Sequence, residues 1–566
     1  MAQSNGHPTE TSPLLKKDQP PPVEPSDGIA PDAAVVNGSV EGNGEDGGDI
    51  ERQLSATDRQ KQYEGIPEIK KRMHVILPAL AIGIFLSAAD QTIIVSSYGK
   101  IGSELKALNN TSWIATAYFL TLTSFQPLYG KLSEIFGRKP CLLFGYFVFG
   151  LGCLFCGLAQ DMNQLIAARA FAGIGGGGMT TVVSILLSDA VPLRERGKWQ
   201  GYVNIIYATG AGVGAPLGGI LADYIGWRWA FLFQAPLCLL AFVAVAVVIK
   251  LPPRDEAHWK EKLRRIDFLG AAVLIGAVFT LLLALDQGSN VSWKALVTIV
   301  SISVSVPLFA LFVLIEMKVA SEPFAPGHII FHRSLFACYL CNFFSFAGWL
   351  AALFYIPLYF QAVHGLSATA AGLRLIPGII CGVSGSLFGG FYMQKTGKYY
   401  WLTIGAYTLL VAGMTVVFLF SGVVLDNIPG MIVGMCMCGF GNGIGVTTSL
   451  IGLIANASRD DQAVATACSY LFRSLGSVFG VSISATVANQ ELRKHLESAL
   501  SGSEAKEIAM HVRESLGFLK TLSPEVRALV ADCYARSTRA TFGLQIGLVC
   551  GAAIAAWFIR EKALSR

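Results

Sequence analysis

Two charges sit where an apolar chain does not ordinarily carry them. Asp90 opens the stretch Asp90-Gln91-Thr92-Ile93-Ile94-Val95, and Arg169 stands in Leu165–Gly175, each inside a long apolar run. A charged side chain at the centre of a bilayer costs about 2.5–3.5 kcal/mol, so it persists where it faces a cavity or a partner. A carboxyl can take up and release a proton, whereas arginine keeps its own. Arg169 would therefore act on a neighbouring carboxyl, holding it ionised or letting it go when the geometry changes. Asp90 is the candidate neighbour, and a deprotonated Asp90 would attract a cation. The bland readings are a helix–helix link for Asp90 and snorkelling to the interface for Arg169.

Weaker candidates for lining a cavity are Gln91, Asn204, Tyr207, Gln234, Asn342, Tyr355, Tyr359 and Gln361. Tyr355 and Tyr359 are one helical turn apart and share a face. Arg374 and Arg473 are the corresponding charges in the second half of the chain. For each of these, packing is the competing account. Asp189, Asp223, Asp286 and Glu316 fall near run ends and read as interface or loop-pairing groups. No Ser/His/Asp cluster and no metal-ligand spacing points to an enzyme, and the eight histidines are scattered. The run Gly175–Gly178 lacks the Lys-Ser/Thr of a phosphate loop and reads as close helix packing. No cofactor is expected.

The elements that must position these groups are membrane helices. Of 566 residues, 53% are hydrophobic and 14% charged, and mean hydropathy is +0.53, against about a quarter charged in soluble domains. Apolar runs of roughly 20 residues, long enough to cross a bilayer, recur about fourteen times between residues 74 and 560. The expected fold is all-α and polytopic. The net charge of +5 lies largely in short loops and does not suggest nucleic acid. The twelve cysteines fall mostly inside the spans and read as small apolar residues.

Residues 1–70 are rich in Pro, Gly, Ser and acids and are expected to be a disordered cytosolic tail without a cleavable signal peptide. Expected boundaries are 71–250 for a first six-helix half, 251–265 for a cytosolic linker, 266–318 for two further spans and 319–566 for a second half. A polar, partly helical, non-cytosolic loop is expected at about 489–541. With the tail in the cytosol, basic residues concentrate in the cytosolic short loops, among them Arg138, Lys139, Arg194, Arg196 and Lys198. That bias sets the orientation. The sequons at Asn109, Asn110 and Asn290 then fall on the other side as candidate glycosylation sites.

Two loops repeat one pattern. Gly130-Lys-Leu-Ser-Glu134-Ile-Phe-Gly137-Arg138-Lys139 joins two spans through a tight turn, and Gly390-Phe-Tyr-Met-Gln394-Lys-Thr-Gly397-Lys398 echoes it. Gly130 maps to Gly390 and Gly137 to Gly397, an offset of 260 in both cases. Parallel repeats of this kind build transporters with a site at the half interface. Glu134 can pair with a nearby Arg or sit against a helix N-terminus. In Gly210-Ala-Gly-Val-Gly214-Ala215-Pro216-Leu217-Gly218-Gly219 the small residues and proline suit a kinked, closely packed helix.

The Gly130–Lys139 loop resembles the signature loop of the major facilitator superfamily, with Glu134 where that family has Asp. The Arg169 stretch resembles its fourth-helix motif, and Gly210–Gly219 its exporter and antiporter motif, shifted by Ala215. With about fourteen spans, the combination resembles the drug:proton antiporter family, and Ser87–Gly102, Trp113–Lys139, Arg169–Gly178 and Val191–Gly201 resemble its fungal branch of vacuolar basic amino acid transporters and multidrug exporters. The resemblance implies two six-helix halves plus two inserted helices, alternating access, and a small-molecule substrate exchanged for protons. It implies proton coupling at Asp90 and Arg169, and gating at Gly130, Glu134, Gly137, Arg138, Gly214, Pro216, Gly218 and Gly219. The vacuolar membrane is favoured over the plasma membrane by Glu10-Thr-Ser-Pro-Leu14-Leu15, which resembles an acidic dileucine signal read by sorting adaptors. A monomer in the lipid bilayer is expected, and a non-transporting receptor or scaffold is the remote alternative.

Overall fold

The computed structural model describes residues 72–94, 97, 101, 104–105, 112–250, 267–290, 292–318, 327–366, 368–458, 461–499 and 523–564. The tail with Glu10, Leu14 and Leu15, the linker 251–265, and Asn109 and Asn110 lie outside them, as does the side chain of Asn290.

Among the described residues the architecture is helical. The first six long helices are α1 (Met73–Ile93), α2 (Ser112–Ile135), α3 (Arg138–Leu158), α4 (Met162–Ala190), α5 (Leu193–Tyr224) and α6 (Arg228–Val248). Two more follow, α7 (Phe268–Asn290) and α8 (Leu296–Lys318). The last six are α9 (Arg333–Ala362), α10 (Ile376–Thr396), α11 (Tyr400–Phe420), α12 (Ile428–Asn456), α13 (Gln462–Ala499) and α14 (Pro524–Ala556). Thirteen of these stretches are long and apolar enough to cross a membrane. The other, α2, is 24 residues long but carries Gln126, Lys131 and Glu134, because much of it faces protein. The outer faces expose Leu239, Val247, Leu296, Val306, Ile380 and Val433, apolar groups for which lipid is the matching solvent.

The repeat is visible in the helix ends. α1 begins at Met73 and α9 at Arg333, the same offset as the loops. Asp161 caps α4 by accepting from the Gln164 amide at 2.8 Å, and Asn427 caps α12 in the same way, so both copies use a short side-chain oxygen to satisfy the first orphan donors. The turn glycines Gly137 and Gly397 both have positive φ, 93° and 70°, which L side chains rarely adopt.

Each half has its own apolar core. One contains Leu80, Tyr146, Phe149 and Val182, and the other Tyr339, Tyr359, Tyr407 and Met435. The α7–α8 pair docks outside this arrangement. Leu274, Val278 and Leu282 pack with Leu120, Leu128 and Leu471 on α2 and α13, and the Trp293 indole donates to Thr486 at 2.7 Å.

The expected loop at 489–541 is helical at both ends. α13 runs on to Ala499, and α14 begins at Pro524. In these helical ends Leu492 and Leu496 pack against Val530, Cys533 and Tyr534. The two extensions bury a narrow apolar stripe against each other.

Candidate functional site

The two buried charges meet. Arg169 Nη1 lies 2.6 Å from Asp90 Oδ2, and the side chains are 1% and 0% exposed. The other carboxylate oxygen accepts from Gln234 Nε2 at 3.1 Å. Arg169 Nε donates to the Ile114 carbonyl at 3.2 Å, and the guanidinium stacks 4.3 Å from the centre of the Tyr118 ring. α1, α2, α4 and α6 thus each supply a partner, and neither charge faces lipid. Such a pair is sustained by its additional hydrogen bonds, because removing both ions from water costs several kcal/mol per ion.

The glycine-rich motif of α5 packs on the stretch of α1 that carries Asp90. A Cβ on Gly214 would collide with the Ala89 carbonyl and Thr92, and one on Gly218 with the Ile93 carbonyl. Pro216 lies on the exposed side of α5, and Gly219 is half-buried. Next to Asp90, Gln91 accepts from the Tyr207 hydroxyl of α5 at 2.9 Å and donates to the Ser87 carbonyl at 3.0 Å. The α1–α5 contact therefore joins the buried acid to a helix that also touches the other half.

The loop motifs sit on the face bearing Arg138 and Lys139, called here the basic face. Arg138 donates to Asp189 at 2.8 Å and to Ser133 at 2.8 Å, tying the turn to the end of α4. Glu134 is 3.7 Å from Lys131. Gly130 abuts Ala463 and Ala467 of α13 in the other half. On the second seam, Arg194 donates to the carbonyls of Gln394 and Lys395 and Gly197 meets Gly390, while Arg196 reaches from α5 to Gln462 of α13 at 3.1 Å. The innermost links are Asn204 to Ser386 at 2.8 Å and Ser474 to Gln126 at 2.9 Å. These contacts hold the halves together from the basic face inward to mid-depth.

The other sequence candidates divide. Gln91, Asn204 and Tyr207 lie at the half interface. Gln234 belongs to the Asp90 pair. Asn342 is buried and links to Ser469 at 3.2 Å inside the second half. Tyr355 and Tyr359 belong to the apolar core of the second half. The Tyr359 hydroxyl donates to the Ser421 carbonyl at 2.8 Å and bonds Asp426 at 3.0 Å, so it pins the α11–α12 connection. Gln361 is half-buried at the end of α9. Periodicity placed these residues on a face, but not which of that helix's faces met protein. The sequence reading missed Gln126 as a link between halves. A glutamine inside the apolar run of α2 was the available signal.

Two pseudo-symmetric helical bundles, closed against each other along one face and holding a sealed ion pair in the first, make a membrane carrier. Residues 80–481 match the Major Facilitator Superfamily. The chain is 39% identical over 490 residues to the vacuolar membrane amino acid uptake transporter fnx2 of Schizosaccharomyces pombe, covering 86% of this chain and 84% of that one. It is 39% identical to the multidrug resistance protein fnx1 of the same yeast, covering 84% and 90%. With vacuolar basic amino acid transporter 2 of Saccharomyces cerevisiae the identity is 35%, covering 76% and 93%. Among solved structures, the proton:xylose symporter XylE aligns with a TM-score of 0.56 at 15% identity, over 88% of this chain and 98% of that one, which is a likeness of fold. The chain belongs to the Major Facilitator Superfamily, and it is a multi-pass membrane transport protein.

Proposed function

We propose that this protein is a proton-coupled antiporter that moves basic amino acids into the vacuole by alternating access. The observation that carries the reading is the buried Asp90–Arg169–Gln234 cluster beside the α1–α5 seam. The basic face is cytosolic in this reading, so the described contacts correspond to the state closed to the cytosol. Rearrangement of α5 against α1 changes the environment of Asp90, which takes up a proton from the acidic side and is released from Arg169. When the halves then open to the cytosol, Asp90 gives up that proton on the cytosolic side and pairs again with Arg169. The solute crosses without chemical change, so the protein is not an enzyme. One pH unit supplies about 1.4 kcal/mol, or tenfold accumulation at one proton per solute. The likeness to vacuolar amino acid transporters of two yeasts supports the solute class and the membrane. Drug or toxin export at the plasma membrane is the second reading, favoured by the equal identity to the multidrug resistance relative.

The test is uptake into sealed vesicles with an imposed pH gradient, against lysine, arginine, histidine and a panel of lipophilic cations. Wild-type protein is expected to accumulate the basic amino acids, and Asp90→Asn to lose the pH-driven part while still reaching its membrane. Full pH dependence in the mutant removes Asp90 from the coupling role.

A further inference from the structure

Arg473 lies on α13, eleven residues from its start at Gln462, or about 16 Å along the axis at 1.5 Å per residue. That is roughly half of a 30 Å hydrocarbon core. It neighbours Ser474, whose bond to Gln126 is one of the innermost links between the halves. The guanidinium is half-buried, and its carbon lies 4.0 Å from the centre of the Phe346 ring of α9 and 5.7 Å from that of Tyr470. Among the described residues no carboxylate forms an ion pair with it. Asp90 is committed to Arg169 and Gln234. The Tyr207 hydroxyl of α5 lies within electrostatic reach of Arg473 across the interface.

Stacking on a ring occupies the face of a guanidinium and leaves its N–H donors in plane, the geometry that takes a carboxylate through two parallel hydrogen bonds. A permanent cation at mid-depth costs free energy, and among the described residues no acid pairs with it. On the opposite wall the Tyr207 hydroxyl donates to Gln91, which leaves its oxygen able to accept from an incoming ammonium or guanidinium.

We infer that Arg473 binds the carboxylate of the transported solute, with Tyr207 accepting from the solute's cationic end. The inference deepens the amino acid reading and rests on it. A site for lipophilic cations would instead place a repelling charge at its centre, so Arg473 speaks against the export of such compounds.

The experiment uses purified full-length protein and two matched pairs, arginine with argininamide and lysine with lysinamide. Binding is read by ligand-induced thermal stabilisation. A charge-assisted bidentate contact predicts that wild type prefers the free acid about ten- to a hundredfold. Arg473→Gln is expected to abolish that preference, and Arg473→Lys to keep part of it, which separates lost recognition from lost folding. Equal binding of acid and amide by wild type, no binding of either, or a preference that survives Arg473→Gln overturns the assignment. Uptake in pH-gradient vesicles, run in parallel, keeps the two ideas apart. Proton-driven uptake without acid preference sinks the role of Arg473 alone. Acid preference without proton-driven uptake sinks the antiport alone.

Discussion

At the residue scale, the Asp90–Arg169 pair sets the terms. Its members are buried among partners from four helices, so removing one leaves an uncompensated charge. Arg169→Gln is expected to destabilise the first half by about 3–5 kcal/mol, read as a fall in the thermal unfolding midpoint in detergent. The double variant with Asp90→Asn should recover much of the loss, because neither charge then remains. Lack of recovery would mean the pair is not the unit that holds these helices. A second ionic contact joins Glu104, outside the spans, to the first residue of α6. Glu104 bonds Arg228 and accepts from the Trp227 indole at 2.8 Å. The Arg228 hydrogen bond, opposed by partial burial, holds the Glu104 carboxyl below its ordinary 4.5. A depressed pKa in the folded state gives stabilisation that is present above the unfolded value and is lost as pH falls through the folded one. The contact should therefore survive mild acid and break only below about 4.5. Its worth is small, since both groups are partly exposed. Trp227 fluorescence compared between wild type and Glu104→Gln should diverge above that pH and merge below it.

At the element scale, the α1–α5 seam is the part most sensitive to size. Gly214 and Gly218 let α5 approach the α1 backbone so closely that a methyl group has no room. Gly214→Ala should cost about 1–3 kcal/mol and slow transport even where the protein is inserted, because the strain falls beside Asp90. Vesicle uptake normalised to inserted protein checks this, and wild-type rates in the variant would free the seam from any gating role. The α13–α14 extensions make a related point. Their polar surfaces fit a segment outside the bilayer, and the packed stripe of Leu492, Leu496 and Val530 holds the two helix ends together.

At the scale of the whole molecule, the halves are clasped on the basic face by Arg194 and Arg196, by the Gly197–Gly390 approach and by Gly130 against α13. The two arginines reach carbonyl and amide oxygens, which are acceptors any competing water can replace. Arg194→Ala with Arg196→Ala is therefore expected to shift the population toward opening on that face. Thiol labelling of cysteines introduced at Asn204 and Ser386 should rise in the double variant; unchanged labelling would show that helix packing alone holds the seam.

The chain's own pattern determined the membrane class, the number of long helices, the repeat and the two charges that matter in the first half. Each of these rests on local information: apolar length against bilayer thickness, glycine at positive φ, and the cost of an ion in lipid. Tertiary structure decided the rest. The meeting of Asp90 with Arg169 depends on how four helices rotate about their axes. So do the placing of Tyr359 in a core and the stacking of Arg473 beside the Phe346 and Tyr470 rings. Helix rotation is set by packing across the bundle, between residues up to hundreds apart in sequence, and periodicity alone does not carry it.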